Sequence, residues 1–185
     1  MRNLIVLILV LCSFRVTISQ GTQRLSLLLK CKQSAGFSIY GQGTTKMCLY
    51  LGQENKTYVE AQADCTSRNS RLAIFNTLEK FQIVEPMPNV WIGLDDIATE
   101  GTYRWADGSI LDLQSELKKK IFYPGEPNAY YVVENCVCQR CWSSSEKLVD
   151  APCNWKLSLQ DLSGMDRQTT QKLIASIPLS GAAKI

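Results

Sequence analysis

The chain has 185 residues, with 20 Lys and Arg against 17 Asp and Glu, a formal net charge of +3 and not one histidine. That length suits a single domain with its own core, and the lack of histidine removes Ser-His-Asp and Cys-His catalysis, His-ligated zinc and HExxH-type peptidases together. The one basic run, Lys118-Lys119-Lys120, has no accompanying stripe or interleaved aromatics, so it reads as a solvated loop and no nucleic-acid partner is expected.

Residues 1–19 read as a secretory signal peptide: Arg2 is its positive start, Leu4 to Leu11 its short apolar run, and Thr17 and Ser19 are small residues suited to cleavage after Ser19. The run is too short to cross a bilayer and no second one follows, so no membrane span is expected. A secreted chain matures where disulfides form, and Asn55-Lys56-Thr57 then offers Asn55 as a glycosylation acceptor. Residues 20–45 are polar and glycine-rich apart from Leu25 to Leu29, and 20–30 is set apart as an N-terminal segment.

Met47 to Leu51 predicts a strand. Thr57 and Glu60 make a capping box, and Val59, Ala61, Ala63 and Cys65 follow at helical spacing, which predicts a helix from about Tyr58 to Arg68. Asn76 and Glu79 open a second helix with Leu78, Phe81 and Val84 inward, and Pro86 stops it. Val90 to Leu94 is short, apolar and β-prone, the mark of a fully buried strand. Tyr103-Arg104-Trp105 before Asp107-Gly108 reads as strand and turn. Residues 109–130 carry turn formers and charge without periodicity, so they read as a long loop of the functional kind. Tyr130 to Cys136, Leu148-Val149 and Trp155 to Leu159 are further strand candidates, and Trp91, Trp105 and Phe122 are assigned to the core. The pattern is α+β, with two early helices followed by strands and loops.

Cys12 leaves with the signal. Seven cysteines remain, an odd number for a secreted chain. Cys136-x-Cys138-x2-Cys141, with Cys153 beyond it, admits disulfides, a zinc thiolate set or a thioredoxin-like CxxC. The oxidising compartment and the lack of βαβ surroundings favour disulfides. The densest chemistry lies in the same stretch. Gly125-Glu126-Pro127-Asn128, Glu134-Asn135-Cys136 and Asp150-Ala151-Pro152-Cys153 place three carboxylates and two carboxamides on some 25 residues, the oxygen donors that a hard cation such as Ca2+ prefers.

In this order and at this spacing, several motifs resemble the C-type lectin-like domain family over about Cys31 to Ser158. They are Tyr58-x2-Ala61-x3-Cys65, Arg71-Leu72-Ala73, Trp91-Ile92-Gly93-Leu94, Trp105-x-Asp107-Gly108, Gly125-Glu126-Pro127-Asn128, Glu134-Asn135-Cys136 and Asp150-x2-Cys153. The resemblance implies an α+β fold of two helices, two small antiparallel sheets and a long-loop region, with disulfide staples and no enzymatic activity. It implies a Ca2+ cofactor held by Glu126, Asn128, Glu134 and Asp150, a cis peptide before Pro127, and sugar bound at the same four residues. Its Glu-Pro-Asn form implies mannose-type glycans on foreign or cell surfaces, read in innate immunity. The physical logic agrees: a vicinal diol can replace water on Ca2+, and an acid–amide pair accepts and donates the hydrogen bonds each hydroxyl needs. The resemblance also marks a second ion position at Asp96, Glu100 and Glu134. A solvated polar loop is an equal reading of Asp95, Asp96 and Glu100. It implies the disulfide pairs Cys31–Cys48, Cys136–Cys153 and Cys138–Cys141.

The chain departs from the family in three places. Val149 stands where the family has a ligating Asn, so weak Ca2+ binding is expected. Cys65 has no partner in Leu157 to Asp161, which leaves Cys138, Cys141 or a second chain, and hence an oligomer, as its options. From Leu159 onward the pattern stops. Residues 159–185 are therefore expected to be a divergent tail with a short helix near Thr169 to Ile177, and the last strand to be missing. A degenerate module of the same fold that binds protein without sugar is the competing reading, carried by Val149. A carboxylate-pair glycosidase or a CxxC oxidoreductase has only those residues in its favour.

Overall fold

A computed structural model describes residues 28–43, 45–87, 89–129, 133–141 and 147–156, and the backbone of 172–176. The signal-like segment, residues 20–27, Tyr130 and Tyr131, and most of the stretch from 157 onward lie outside the described residues. The elements run α1 (28–33), β1 (Phe37–Gln42), β2 (Thr45–Leu51), α2 (Tyr58–Ser67), β3 (Arg71–Leu72), α3 (Leu78–Val84), β4 (Val90–Asp95), β5 (Arg104–Trp105), α4 (Glu116–Ile121), β6 (Cys136–Gln139), β7 (Leu148–Ala151) and β8 (Lys172–Ser176).

β4 is the strand on which both cores rest. Val90, Ile92 and Leu94 pack with Phe75, Phe81, Trp105 and Phe122, while Trp91 packs with Tyr58, Cys65 and Cys136. That is the period-two alternation of a strand covered on both faces. Trp91 meets Tyr58 edge-on at 5.5 Å between ring centroids, and its indole N–H donates to Lys56 O at 2.8 Å. Gly93 is required here, because a Cβ would meet Leu72 O at 2.7 Å and Ala106 Cβ at 2.7 Å. Antiparallel β1, β2, β8 and β3 form one small sheet and antiparallel β5, β4, β6 and β7 the other, joined by the parallel contact of β4 with β8. Disulfides Cys31–Cys48, Cys136–Cys153 and Cys138–Cys141 staple this α+β fold.

α2 starts where its chemistry says it should. Thr57 Oγ1 accepts from Glu60 N at 3.3 Å and Glu60 Oε2 accepts from Thr57 N at 2.8 Å, the reciprocal capping box, with Tyr58, Ala61 and Cys65 buried along one face. α3 is capped by Thr77, whose hydroxyl accepts from Lys80 N at 3.3 Å, one residue later than Asn76 suggested.

Three expectations differ from the structure. The stretch 109–130 is no uniform loop: Ser115 caps α4, and Ile121 and Phe122 are buried anchors. The Lys run forms the last turn of α4, where cations complement the helix dipole. Residues 133–135 are not extended into a strand, which begins only at Cys136 in register with Ala151. Finally, the tail does supply a last strand. Residues 172–176, expected to be helical, lie between β2 and β4 and pair with β2, β3 and β4.

A chain ending at residue 171 loses those three pairings. At roughly 1 kcal/mol per backbone hydrogen bond the loss is about 4 kcal/mol, and the melting midpoint followed by circular dichroism is expected to fall by about 10 °C.

Candidate functional site

The candidate site grows out of the neck that follows α4. Phe122 bridges Leu148 of β7, and Tyr123 N donates to Leu148 O at 2.9 Å. Tyr123-Pro124-Gly125-Glu126 then turns with Glu126 N donating to Tyr123 O at 3.0 Å. Gly125 supplies the positive φ of 96° that the third position of such a turn needs. The Glu126–Pro127 peptide is cis, and Asn128 Nδ2 donates to Glu126 Oε1 at 2.8 Å, so acid and amide meet on one side of the proline.

β7 brings the other carboxylate. Strand alternation sends neighbours to opposite faces. Val149 packs into the cluster of Trp91, Tyr58 and Cys65, while Asp150 reaches the loop. The fully buried Asp150 carboxylate accepts Asn128 N at 3.2 Å on Oδ1 and 3.1 Å on Oδ2. Its Oδ2 also accepts Ala129 N at 2.9 Å and the Tyr103 hydroxyl at 3.3 Å. Ala129, held by one of these bonds, has a left-handed φ of 48°.

Glu126 and Glu134 are also buried, at 6% and 1% exposure. Glu126 Oε2 accepts no hydrogen bond. Its carboxyl is pushed up to about 8, by burial first, then by its contact with Asp150 and the negative charges of Asp150 and Glu134. Asp96 is buried beside the turn it caps: Oδ2 accepts Gly101 N at 2.8 Å, and Oδ1 accepts nothing. Burial raises its carboxyl above the usual range, against the bond from Gly101, with Glu100 and Asp150 adding to the rise. Glu100 itself is exposed. Asp95 is turned away, accepting the Tyr58 hydroxyl at 2.8 Å.

Glu126, Asn128 and Asp150 are thus in direct contact, Glu134 lies within electrostatic reach, and Asp96 joins from the adjoining turn. The all-oxygen donor set suits a hard cation, and the two buried oxygens without donors, Glu126 Oε2 and Asp96 Oδ1, are where a cation would replace a missing partner. Even so, no group of three or more Asp, Glu, His or Cys side chains among the described residues is close enough to hold a metal ion. The carboxylates would have to draw together around one.

Sequence reasoning missed Tyr103, whose hydroxyl reaches Asp150 across 47 positions of chain; nothing local to Tyr103 announces that contact. Cys65 is fully buried in the Trp91 cluster, and burial pushes its thiol up to about 12. It has no surface from which to reach a second chain, so the expected link through Cys65 is set aside. Asn55 is exposed, two residues before the cap of α2. No helix among the described residues is long and apolar enough to cross a membrane.

A stapled two-sheet scaffold that displays an acid–proline–amide turn against a strand carboxylate is a binding domain of the C-type lectin-like class. A model of the lectin C-type domain matches residues 54–159, and the chain belongs to that family. It is 30% identical over 96 residues to the low affinity immunoglobulin epsilon Fc receptor of Mus musculus, covering 50% of this chain and 27% of that protein. It is 26% identical over 116 residues to C-type mannose receptor 2 of Homo sapiens, covering 60% of this chain and 7% of that one. The chain therefore spans well under half the length of both curated relatives. The cow C-type carbohydrate-recognition domain of CD23, solved in the presence of a GlcNAc2Man3 oligosaccharide, matches with a TM-score of 0.57 and 25% identity over 77% of this chain and 93% of that one. A calcium-independent type II antifreeze protein matches with a TM-score of 0.57 and 21% identity, over 77% of this chain and 92% of that one, and shows the fold alone.

Without an ion, Glu126 titrates near 8 in the folded chain and near 4.5 unfolded. Between those values the native state holds a proton that the unfolded state has lost, so stability falls as pH rises through that window. In EDTA the melting midpoint is expected to drop between pH 5 and pH 8.5, and Glu126→Gln to flatten that slope; thermal scans across the range check both.

Proposed function

We propose that this chain is a secreted, Ca2+-dependent lectin domain that binds mannose-type sugars through Glu126, Asn128, Glu134 and Asp150. The single observation that carries this reading is the acid–amide contact of Glu126 with Asn128 at 2.8 Å across a cis proline, beside a buried Asp150. Ca2+, when bound, neutralises the crowded carboxylates and offers open positions to two neighbouring hydroxyls. Glu126 accepts a hydrogen bond from a sugar hydroxyl and Asn128 donates one from its amide, which fixes the diol's orientation. The work is ligation, with no bond made or broken. Asp96 and Glu100, with Glu134, form an auxiliary ion position that steadies the adjoining turn.

The likeness to the cow domain solved with a mannose-containing oligosaccharide, and to a receptor named for mannose, supports the sugar class. Glycans on foreign or cell surfaces are the proposed partners, in innate recognition. Secretion, and an N-glycan on the exposed Asn55, follow the signal-like start and the sequon. With Val149 turned into the core, Ca2+ affinity is expected at the weak, roughly millimolar end of extracellular modules, and useful avidity needs several copies on one surface.

The same Val149 favours a second reading, a module of this fold that binds protein without ion or sugar. The two part in one experiment. The chain is expected to stay on mannose resin in about 10 mM CaCl2 and to leave with EDTA, and the double substitution Glu126→Gln with Asn128→Asp is expected to move retention to galactose resin. Passage through mannose resin in full calcium would leave the protein-binding reading standing. An unchanged mannose preference in the double variant would remove the roles given to Glu126 and Asn128.

A further inference from the structure

We propose that Tyr103 is a positioning residue of this site, and that with Asp150 it forms a latch made of protein atoms alone, which keeps the loop from Glu126 to Ala129 assembled when no ion is bound. It rests on the lectin reading only where calcium affinity is concerned; the latch itself is a property of the ion-free chain.

Tyr103 touches the residue that precedes the neck and the carboxylate that holds the loop. Its ring is 3% exposed and meets Phe122, the last residue before the neck, edge-on at 6.4 Å and 72°. Its backbone carbonyl accepts Leu111 N at 2.9 Å, which ties the residue into the turn after β5. Its hydroxyl donates at 3.3 Å to Asp150 Oδ2, the oxygen that also takes Ala129 N at 2.9 Å and Asn128 N at 3.1 Å. Three donors from two separate segments therefore converge on one carboxylate that has no exposure to water. A buried anion without donors is strongly unfavourable, so each donor stabilises the geometry that brings it there.

The loop needs such a hold. Ala129 sits at φ 48° without the freedom of glycine, and a non-glycine residue stays in that region only when its surroundings fix it. The bond from its own N–H to Asp150 is the fixing contact the structure shows. The family's ligating residue at 149 is a valine facing the other core, so this strand has one polar side chain left to organise the loop, and Tyr103 orients it. A cation arriving at such a site finds the loop already ordered, and that ordering cost is removed from binding.

Packing alone would require only the ring. Tyr103→Phe keeps the ring and its contact with Phe122 and deletes the hydroxyl, so it separates the two roles. Amide exchange is to be followed in EDTA on the full chain. The Asn128 and Ala129 amides of the unmodified protein are expected to be protected, and in Tyr103→Phe to exchange about tenfold faster, while the amides of β4 and β6 keep their rates. Calorimetric titration with CaCl2 is expected to show affinity weakened roughly three- to tenfold in the variant, and saturating CaCl2 to restore protection. Unprotected Asn128 and Ala129 amides in the unmodified chain overturn the latch whatever the variant does. Equal protection in both proteins, or a loss spread evenly over β4 and β6, overturns it as well. If the unmodified chain binds neither CaCl2 nor mannose, the lectin reading fails, and the exchange rates still decide the latch.

Discussion

Taking a carboxyl group out of water is costly, and the loop region and the strand beside it do so three times within one neighbourhood, at Glu126, Glu134 and Asp150. A carboxylate removed from water must gain donors, a proton or a cation. The first two solutions are visible side by side. Asp150 gathers two backbone N–H groups and a tyrosine hydroxyl. Glu126 gains one amide and, with its second oxygen lacking any donor, holds its proton up to about 8. A cation is the third, and the lectin reading assigns one to these same acids.

The scaffold makes that burial sustainable. β4 is covered on both faces, so the strands beside it are fixed by two cores at once. β6 pairs with β7 over Cys136↔Ala151 to Gln139↔Leu148, and the Cys136–Cys153 bridge closes the end of that ladder two residues beyond Ala151. Asp150 is therefore positioned by strand register, by a disulfide and by the neck bond from Tyr123 to Leu148. These anchors hold the left-handed Ala129 in place.

How much of this was legible in the sequence follows from how local each signal is. The capping box of Thr57 and Glu60 and the unbroken apolar run of β4 are complete within a few residues, so α2 and β4 stand where the sequence put them. α4 is not legible because six residues give a single inward pair, the partly buried Leu117 and the buried Ile121, too few for a period to show. β8 is not legible as a strand because residues 172–176 have no strong preference; the slot between β2 and β4 decides their state. At the site, Glu126, Pro127 and Asn128 are neighbours in sequence, and the turn they form is written in Pro124 and Gly125. Tyr103 is different in kind, since its partner lies 47 residues away and only the folded register of β5, β4, β6 and β7 brings the two together.

Val149 looks at first like a simple loss of one ligand, but strand geometry gives it a second meaning. A polar side chain at 149 in this register would enter the Trp91 and Tyr58 cluster, among groups with no donor to spare for it, and would be strongly unfavourable there. Valine is the residue that suits that face. The polar work of β7 then falls wholly on Asp150, and Asp150 already has three protein donors. On the lectin reading a cation would share those oxygens rather than claim them, and Glu126 Oε2, buried and accepting no hydrogen bond, would be the freer donor. Loop order therefore does not wait for a metal: hydrogen bonds between protein groups hold the turn, and a cation bound as the lectin reading has it would meet a loop whose ordering cost is already met.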